Sequence, residues 1–374
     1  MFLRCSRPTQ PLLRHTDVPL RVTESFILSG YRFPDYSLRE CLASAFRPTN
    51  ETGNFWTHFL GVFIFAFHFV EVFGWERTLP FSDPFFYPFW NYFIGVLCLL
   101  TASSMAHLLN SMSLLIREIC FFVDYGTISA YTVGSALAYF YYIHPQAGAV
   151  GQRFTNATQR WRGQVEGPFP HPPSSPSPEL TVFFESLYIP SACLVALICT
   201  LACCNTRQRW RKYRYVIRTT VFLLPFLVAS TPIFYRLLRP SSSSPSLSGT
   251  LATYFYRHCF WLAVSALFNI SKIPERLSPG SFDVWGHSHQ WFHCCTFLSI
   301  LDELHMIKAE IRVLVLRPSL ALPAMLSWPR PQISGPTLCS TYGVMLSLQG
   351  CIAAIISWFA WRAKESHVHR AKLN

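Results

Sequence analysis

The sequence predicts an all-α polytopic membrane protein, and three observations carry the prediction. Of the 374 residues 51% are hydrophobic and 16% aromatic, while only 13% are charged, about half the charged share of a soluble domain. The charges cluster between long apolar runs instead of being spread evenly. Those runs reach about 20 residues, the length a helix needs to cross the hydrocarbon core. A soluble chain of this size would divide into two or more domains; here the apolar runs point to one helical bundle in lipid.

Eight stretches qualify as spans: 55–74, 86–107, 118–142, 181–204, 216–236, 254–273, 287–305 and 338–361. Lipid offers no partner to an unpaired backbone group, so each must be helical. The fifth carries Pro225 and Pro232, which are expected to kink it, and the seventh carries several histidines. The expected organisation is an N-terminal segment over 1–54, a seven-span core over 55–305, a loop over 306–337, an eighth span over 338–361 and a tail over 362–374. The opening MFLRCSRPTQPLLR is interrupted by charge and proline, unlike a secretory signal peptide, so targeting is expected to come from the first span. Apolar positions at helical spacing in YSLRECLASAFR, 36–47, predict a short helix there, lying at the membrane interface or docked on the bundle.

Orientation follows from the basic residues, which accumulate on the cytosolic side. With a cytosolic N-terminus, the inner segments 1–54, 108–117, 205–218, 272–286 and 362–374 hold 20 of the 31 Lys and Arg. The sharpest contrast is Arg207, Arg209, Arg211, Lys212, Arg214 and Arg218. Both termini are then expected to be cytosolic. The long Pro- and Ser-rich connections 143–180 and 240–249 fall outside and read as linkers. Asn156-Ala157-Thr158 in the first of these is a sequon on the outer side, so a glycoprotein is expected; Asn50 and Asn269 begin sequons on the inner side and inside a span. The net charge of +12 invites nucleic acid, but the basic residues lie between spans, so no nucleic-acid partner is expected. Most of the 13 cysteines sit within apolar runs without a C-x-x-C pair and read as small buried hydrophobes.

Ionisable residues inside spans are costly and are functional candidates by default. Three groups stand out: Ser103 to His107 closing the second span, Asp124-Tyr125-Gly126 near the start of the third, and His287 to His293 opening the seventh. His289 and His293 are four apart and share a helix face, as do Ser103 and His107. The second span runs inward and the third and seventh outward, so all three groups come to one depth at the cytosolic face. Three imidazoles with one open position suit zinc, with His107, His289 and His293 as metal ligands. Asp124 would orient a bound water or accept its proton, and Ser103 would donate to water or substrate. The alternative is polar packing at helix ends. His287, two residues from His289, points elsewhere, and His68 with Glu71 reads as an interfacial hydrogen-bonding pair. The polar groups are expected to form one cluster and not a path across the bilayer.

These residues resemble the progestin and adipoQ receptor family over about 25–305. Its E-x-x-N-x-x-T-H signature corresponds to Glu51, Asn54, Thr57 and His58, its S-x-x-x-H to Ser103 and His107, its D-Y-x-G turn to Asp124 and Tyr125 with Gly126 one place early, and its S-H-Q-x-F-H to Ser288–His293. NETGNFWTH over 50–58 and ILSGYR and SKIPER over 27–32 and 271–276 are similar to the progestin-receptor branch, from which Gly53 and the long loops depart. The resemblance implies a seven-helix core with an eighth C-terminal span and zinc held by His107, His289 and His293, with Asp124 and Ser103 beside it. It also implies a steroid (progestin) ligand, signalling through a G protein and residence in the plasma membrane among membrane lipids. The wider superfamily includes alkaline ceramidases, so the alternative is a zinc-dependent hydrolase acting on a ceramide-like lipid, with Asp124 and Ser103 catalytic.

Overall fold

Each of the eight expected spans falls on helix in the computed structural model, which describes residues 11–32, 34–75, 80–144, 183–208, 213–238, 245–316 and 335–373. The helices are α1 (Leu38–Ser44), α2 (Thr52–Val70), α3 (Tyr87–Leu109), α4 (Leu114–Ala138), α5 (Tyr188–Gln208), α6 (Arg214–Ala229), α7 (Thr231–Leu238), α8 (Pro245–Ser271), α9 (Ser288–Leu316) and α10 (Val344–Leu373). Among the described residues the only β pairing is the single bridge between Leu13 and Tyr31. The Asn156 sequon, Arg209, Arg211, Lys212 and most of the Pro-rich loops lie outside the described residues.

Among the described residues, four helical segments are long and apolar enough to cross a membrane, Thr52–Gly74, Pro84–Leu109, Tyr188–Arg207 and Cys339–Ser366, and the bent pair α6–α7 makes a fifth. The long helices α4, α8 and α9 are less apolar because they carry polar side chains that face the interior, among them Asp124, His258, His293 and Glu303. Exposed Leu60, Phe63, Phe67, Leu194, Leu223, Phe260 and Leu346 give the outside the apolar belt that lipid requires.

Helices α2, α3, α4, α5, α6, α8 and α9 pack in succession, and α9 returns against α2 to close a ring; α10 packs outside it on α4 and α5. The all-α seven-helix core with an added eighth helix is therefore the observed architecture. Helix α9 continues past the expected end at 305 to Leu316. Gly95 and Gly134 let α3 and α4 touch through backbone, since a Cβ on either would lie 3.1 Å from the Cα of Tyr131 or Tyr92. The core around them is aromatic, with Phe65, Phe69, Phe86, Phe89, Tyr92, Tyr139 and Tyr142 fully buried.

Only one of the two expected proline kinks breaks a helix. Pro225 sits inside continuous α6, whereas α6 and α7 meet at Ser230 at 56°. Pro232 has no N–H for the Val228 carbonyl, and the Thr231 hydroxyl takes that carbonyl instead at 2.8 Å. Helix α1 begins at Ser37, which forms a reciprocal capping box with Glu40. It docks through buried Cys41 and Ser44 while Leu38, Leu42 and Phe46 face outward, so it is both docked and amphipathic.

Candidate metal centre

The three groups predicted to share one depth do meet. Donor atoms of His107, His289 and His293 all lie within 4.8 Å of one another, and Nε2 of His289 is 3.3 Å from Nε2 of His107. On two of the three rings the edge facing away from this point is occupied. Nδ1 of His107 is 2.7 Å from the Glu51 carboxylate, and Nδ1 of His293 lies 3.1 Å from the Asn54 carbonyl and 3.0 Å from the Thr57 hydroxyl. A histidine whose outer nitrogen is held by a carboxylate or carbonyl has a fixed tautomer and a basic inner nitrogen, the usual arrangement behind a metal ligand. The donor set thus fits a metal ion.

Glu51 anchors this arrangement from just before α2. Besides His107 it accepts from Asn54 Nδ2 at 2.9 Å and Asn110 Nδ2 at 2.7 Å, with Arg117 at 4.0 Å. Burial alone would raise its pKa, but His107, Arg117 and Arg32 hold it well below the usual carboxylate range. Arg32 closes the end of α3. Its guanidinium donates to the His107 and Leu108 carbonyls at 2.6 Å each, to Asn110 Oδ1 at 2.6 Å and to Ser44 at 2.9 Å. It therefore satisfies helix-end carbonyls and complements the negative end of the helix dipole.

The opposite histidines are set by the start of α9. Glu275 accepts from the Ser288 amide at 2.7 Å and from its hydroxyl, a favourable charge at a helix N-terminus. Gln290 bonds back to the Gly286 amide and the Val284 carbonyl, both at 2.8 Å. Gly53 lies directly beneath Gln290, and a Cβ there would stand 2.3 Å from its Nε2. The departure from the branch pattern at 53 is thus accommodated by close packing at the site. His287 points away, as expected, and reaches the Asn50 carbonyl at 3.1 Å.

These residues line one end of a cavity of about 460 Å³ between the helices, within the usual range for small-molecule sites. Asp124 and Ser103 lie against each other on its wall beside the histidines. Arg207, Arg214, Arg218 and Lys272 also line the cavity, as do Glu24 and Ile27 of the N-terminal segment. Glu24 is tied there by Arg214 at 3.2 Å and the Tyr215 hydroxyl at 2.9 Å.

Residues 46–302 match the haemolysin-III-related family, and they include the centre's histidines together with Glu51, Asn54 and Thr57 behind them. The chain belongs to that family. It is 32% identical over 304 residues to membrane progestin receptor delta of Mus musculus, covering 80% of this chain and 79% of that one. It is 32% identical to membrane progestin receptor gamma of Homo sapiens over 294 residues, 78% of each chain, and 29% identical to human membrane progestin receptor beta over 299 residues, 78% of this chain and 74% of that one. The progestin and adipoQ receptor resemblance is therefore upheld at the family level.

Three features of the site were not assigned from sequence. Glu51 was visible as a signature residue, but its bond to His107 was not. His58, another signature residue, stacks on His293 with ring centroids 3.8 Å apart, and among the described residues neither of its ring nitrogens has a partner. The expectation of a single polar cluster also needs correcting. Glu303, deep in α9, accepts from Tyr92 at 3.3 Å, from Tyr139 at 2.6 Å and from Tyr131, and it lines the far end of the same cavity. Its signal was one acidic residue in an apolar run with tyrosines on two other spans. Away from the cavity, His68 Nδ1 lies 3.5 Å from Glu71 but makes no hydrogen bond among the described residues, so the expected pair is close without being bonded; Lys308 takes the Glu71 carboxylate at 2.6 Å instead.

Proposed function

We propose that the chain is a membrane progestin receptor whose ligand cavity is headed by a zinc site. The observation that carries this is the 460 Å³ cavity inside the helical ring, largely apolar along its length and polar where it meets the histidines. The relatives named membrane progestin receptors support the ligand class. His107, His289 and His293 would hold the zinc. When bound, it would cross-link α3 to α9 and polarise an oxygen placed against it. By the basic-residue balance the histidine end faces the cytosol, both termini with it, in the plasma membrane, and a G protein is the expected signalling partner there. Asn156 would then be glycosylated on the outside.

Purified full-length chain in lipid nanodiscs should bind labelled progesterone saturably and competably, and should carry about one zinc per chain. Folded protein without progestin binding would remove the receptor assignment. Folded, ligand-competent protein purified without chelator and free of metal would remove the zinc.

A second assignment, hydrolysis of a ceramide-like lipid amide, is favoured by Asp124 and Ser103 sharing the cavity wall beside the histidines. In it Asp124 would accept a proton and Ser103 would orient the substrate. Release of fatty acid from ceramide, abolished by Asp124→Asn while metal stays bound, would establish it. Progestin binding with no turnover over a range of ceramides would set it aside.

A further inference from the structure

We propose that Glu303, with the tyrosines around it, is a recognition site for a hydroxyl group on the ligand, at the end of the cavity away from the histidines. This rests on the cavity being the binding site of a small apolar molecule. Ten residues separate His293 from Glu303 along α9, about 15 Å at the rise of a helix, and both line the same cavity. The rest of the lining is mostly apolar, with Leu99, Ile128, Phe226 and Leu262, and is interrupted by Thr132, Ser135, His258 and Thr296. A mainly apolar cavity with the histidines at one end and a carboxylate at the other suits a rigid lipid-like molecule with an oxygen at each end.

The chemistry of the far end follows from counting acceptor positions. Glu303 is 1% exposed, and a carboxylate at that depth is costly unless its oxygens are satisfied. Tyr131 donates to Oε2, Tyr92 divides its one proton between Oε2 at 3.3 Å and the Ile300 carbonyl at 3.2 Å, and Oε1 receives only Tyr139. A carboxylate offers about four acceptor positions, and among the described residues hydroxyls take at most three of them. An open position on Oε1 belongs to a side chain that lines the cavity. A ligand hydroxyl can donate to it; a ketone cannot, and its oxygen would face the carboxylate. The far end therefore favours the hydroxyl-bearing member of an otherwise identical pair.

The test uses purified full-length chain in lipid nanodiscs, with labelled progesterone displaced by progesterone itself or by analogues in which the 3-keto or the 20-keto group is reduced to a hydroxyl. One of the reduced analogues should bind roughly tenfold more tightly than the ketone, the scale of a hydrogen bond to a charged group. Glu303→Gln, which replaces one oxygen by an amide donor, should abolish that preference while progesterone still binds. Tyr139→Phe keeps the carboxylate and frees a second position on Oε1, so the preference should survive. Equal affinity for ketone and hydroxyl in the wild type, or a preference unchanged in Glu303→Gln, overturns the proposal and leaves receptor function standing. Absence of saturable binding by any of the steroids overturns both. Should Glu303→Gln not fold, infrared difference spectra of the wild type decide: the hydroxyl analogue should shift a buried carboxylate band that the ketone leaves in place, and no shift defeats the proposal.

Discussion

At one end of the cavity three imidazoles turn nitrogens toward a common point, the outer edge of His107 held by Glu51 and that of His293 by Asn54 and Thr57. At the other end a carboxylate is wrapped by the hydroxyls of Tyr92, Tyr131 and Tyr139. Both ends place polar groups inside a membrane-spanning bundle, where unsatisfied groups are expensive. The tyrosine end meets that cost within the protein, with most acceptor positions filled. The histidine end does so only on its outer edges, and the inner nitrogens are left facing one another. A group satisfied from inside stabilises the fold by itself; donors fixed in place but left open become stable when something binds them.

The largest expected effect is loss of a histidine ligand. His107→Ala, His289→Ala or His293→Ala should each strip most of the zinc and lower thermal stability, because the binding energy of such a site is partly folding energy. His287→Ala should leave the zinc content unchanged. It should cost about 1 kcal/mol of stability through its lost bond to the Asn50 carbonyl. Metal analysis and thermal melts on the four proteins separate the two outcomes, and equal zinc loss in all four would end the distinction between them.

The tyrosine end should respond in the opposite sense. Glu303→Ala strands the Tyr131 and Tyr139 hydroxyls, while Tyr92 keeps the Ile300 carbonyl, and should destabilise the protein by about 3 kcal/mol, yet leave the zinc content at wild-type level. If the metal were lost together with the fold, the two ends would not be energetically separate.

Gly53→Ala tests how closely the centre is fitted. The new Cβ would collide with Gln290 and should cost about 2 kcal/mol as overpacking, with zinc retained at reduced affinity. Gly53→Ala matching wild type in melts and in zinc titration would show that Gln290 can move without consequence. Glu51→Gln is read through zinc affinity, since it turns one of two buried acceptor oxygens into a donor facing Asn54, Asn110 or His107. It keeps the side-chain shape but weakens the hold on His107, and zinc affinity measured by competition with a chelator should fall about 10- to 100-fold. Unchanged affinity would mean that Glu51 only braces Asn54, Asn110 and Arg117.

The sequence by itself determined the parts of this molecule that depend on helical period and length. An apolar run of about 20 residues must be a helix in lipid, so the eight stretches were legible without knowing their neighbours. The spacing of His289 and His293 placed them on one face, and alternating span direction brought His107, Asp124 and the two α9 histidines to one depth. Tertiary structure alone decided which faces meet. That Glu51 lies behind His107, that Glu303 gathers tyrosines from α3, α4 and the turn after α4, and that residue 53 fits beneath Gln290 all depend on how helices distant in the chain pack. Of two prolines in one span, one bends the helix and the other does not. Neighbours decide this too, because a freed carbonyl is tolerated wherever another donor can reach it. Periodicity fixes the face and depth of a side chain, but its partner is set by the side chains that adjoining helices bring to the same depth.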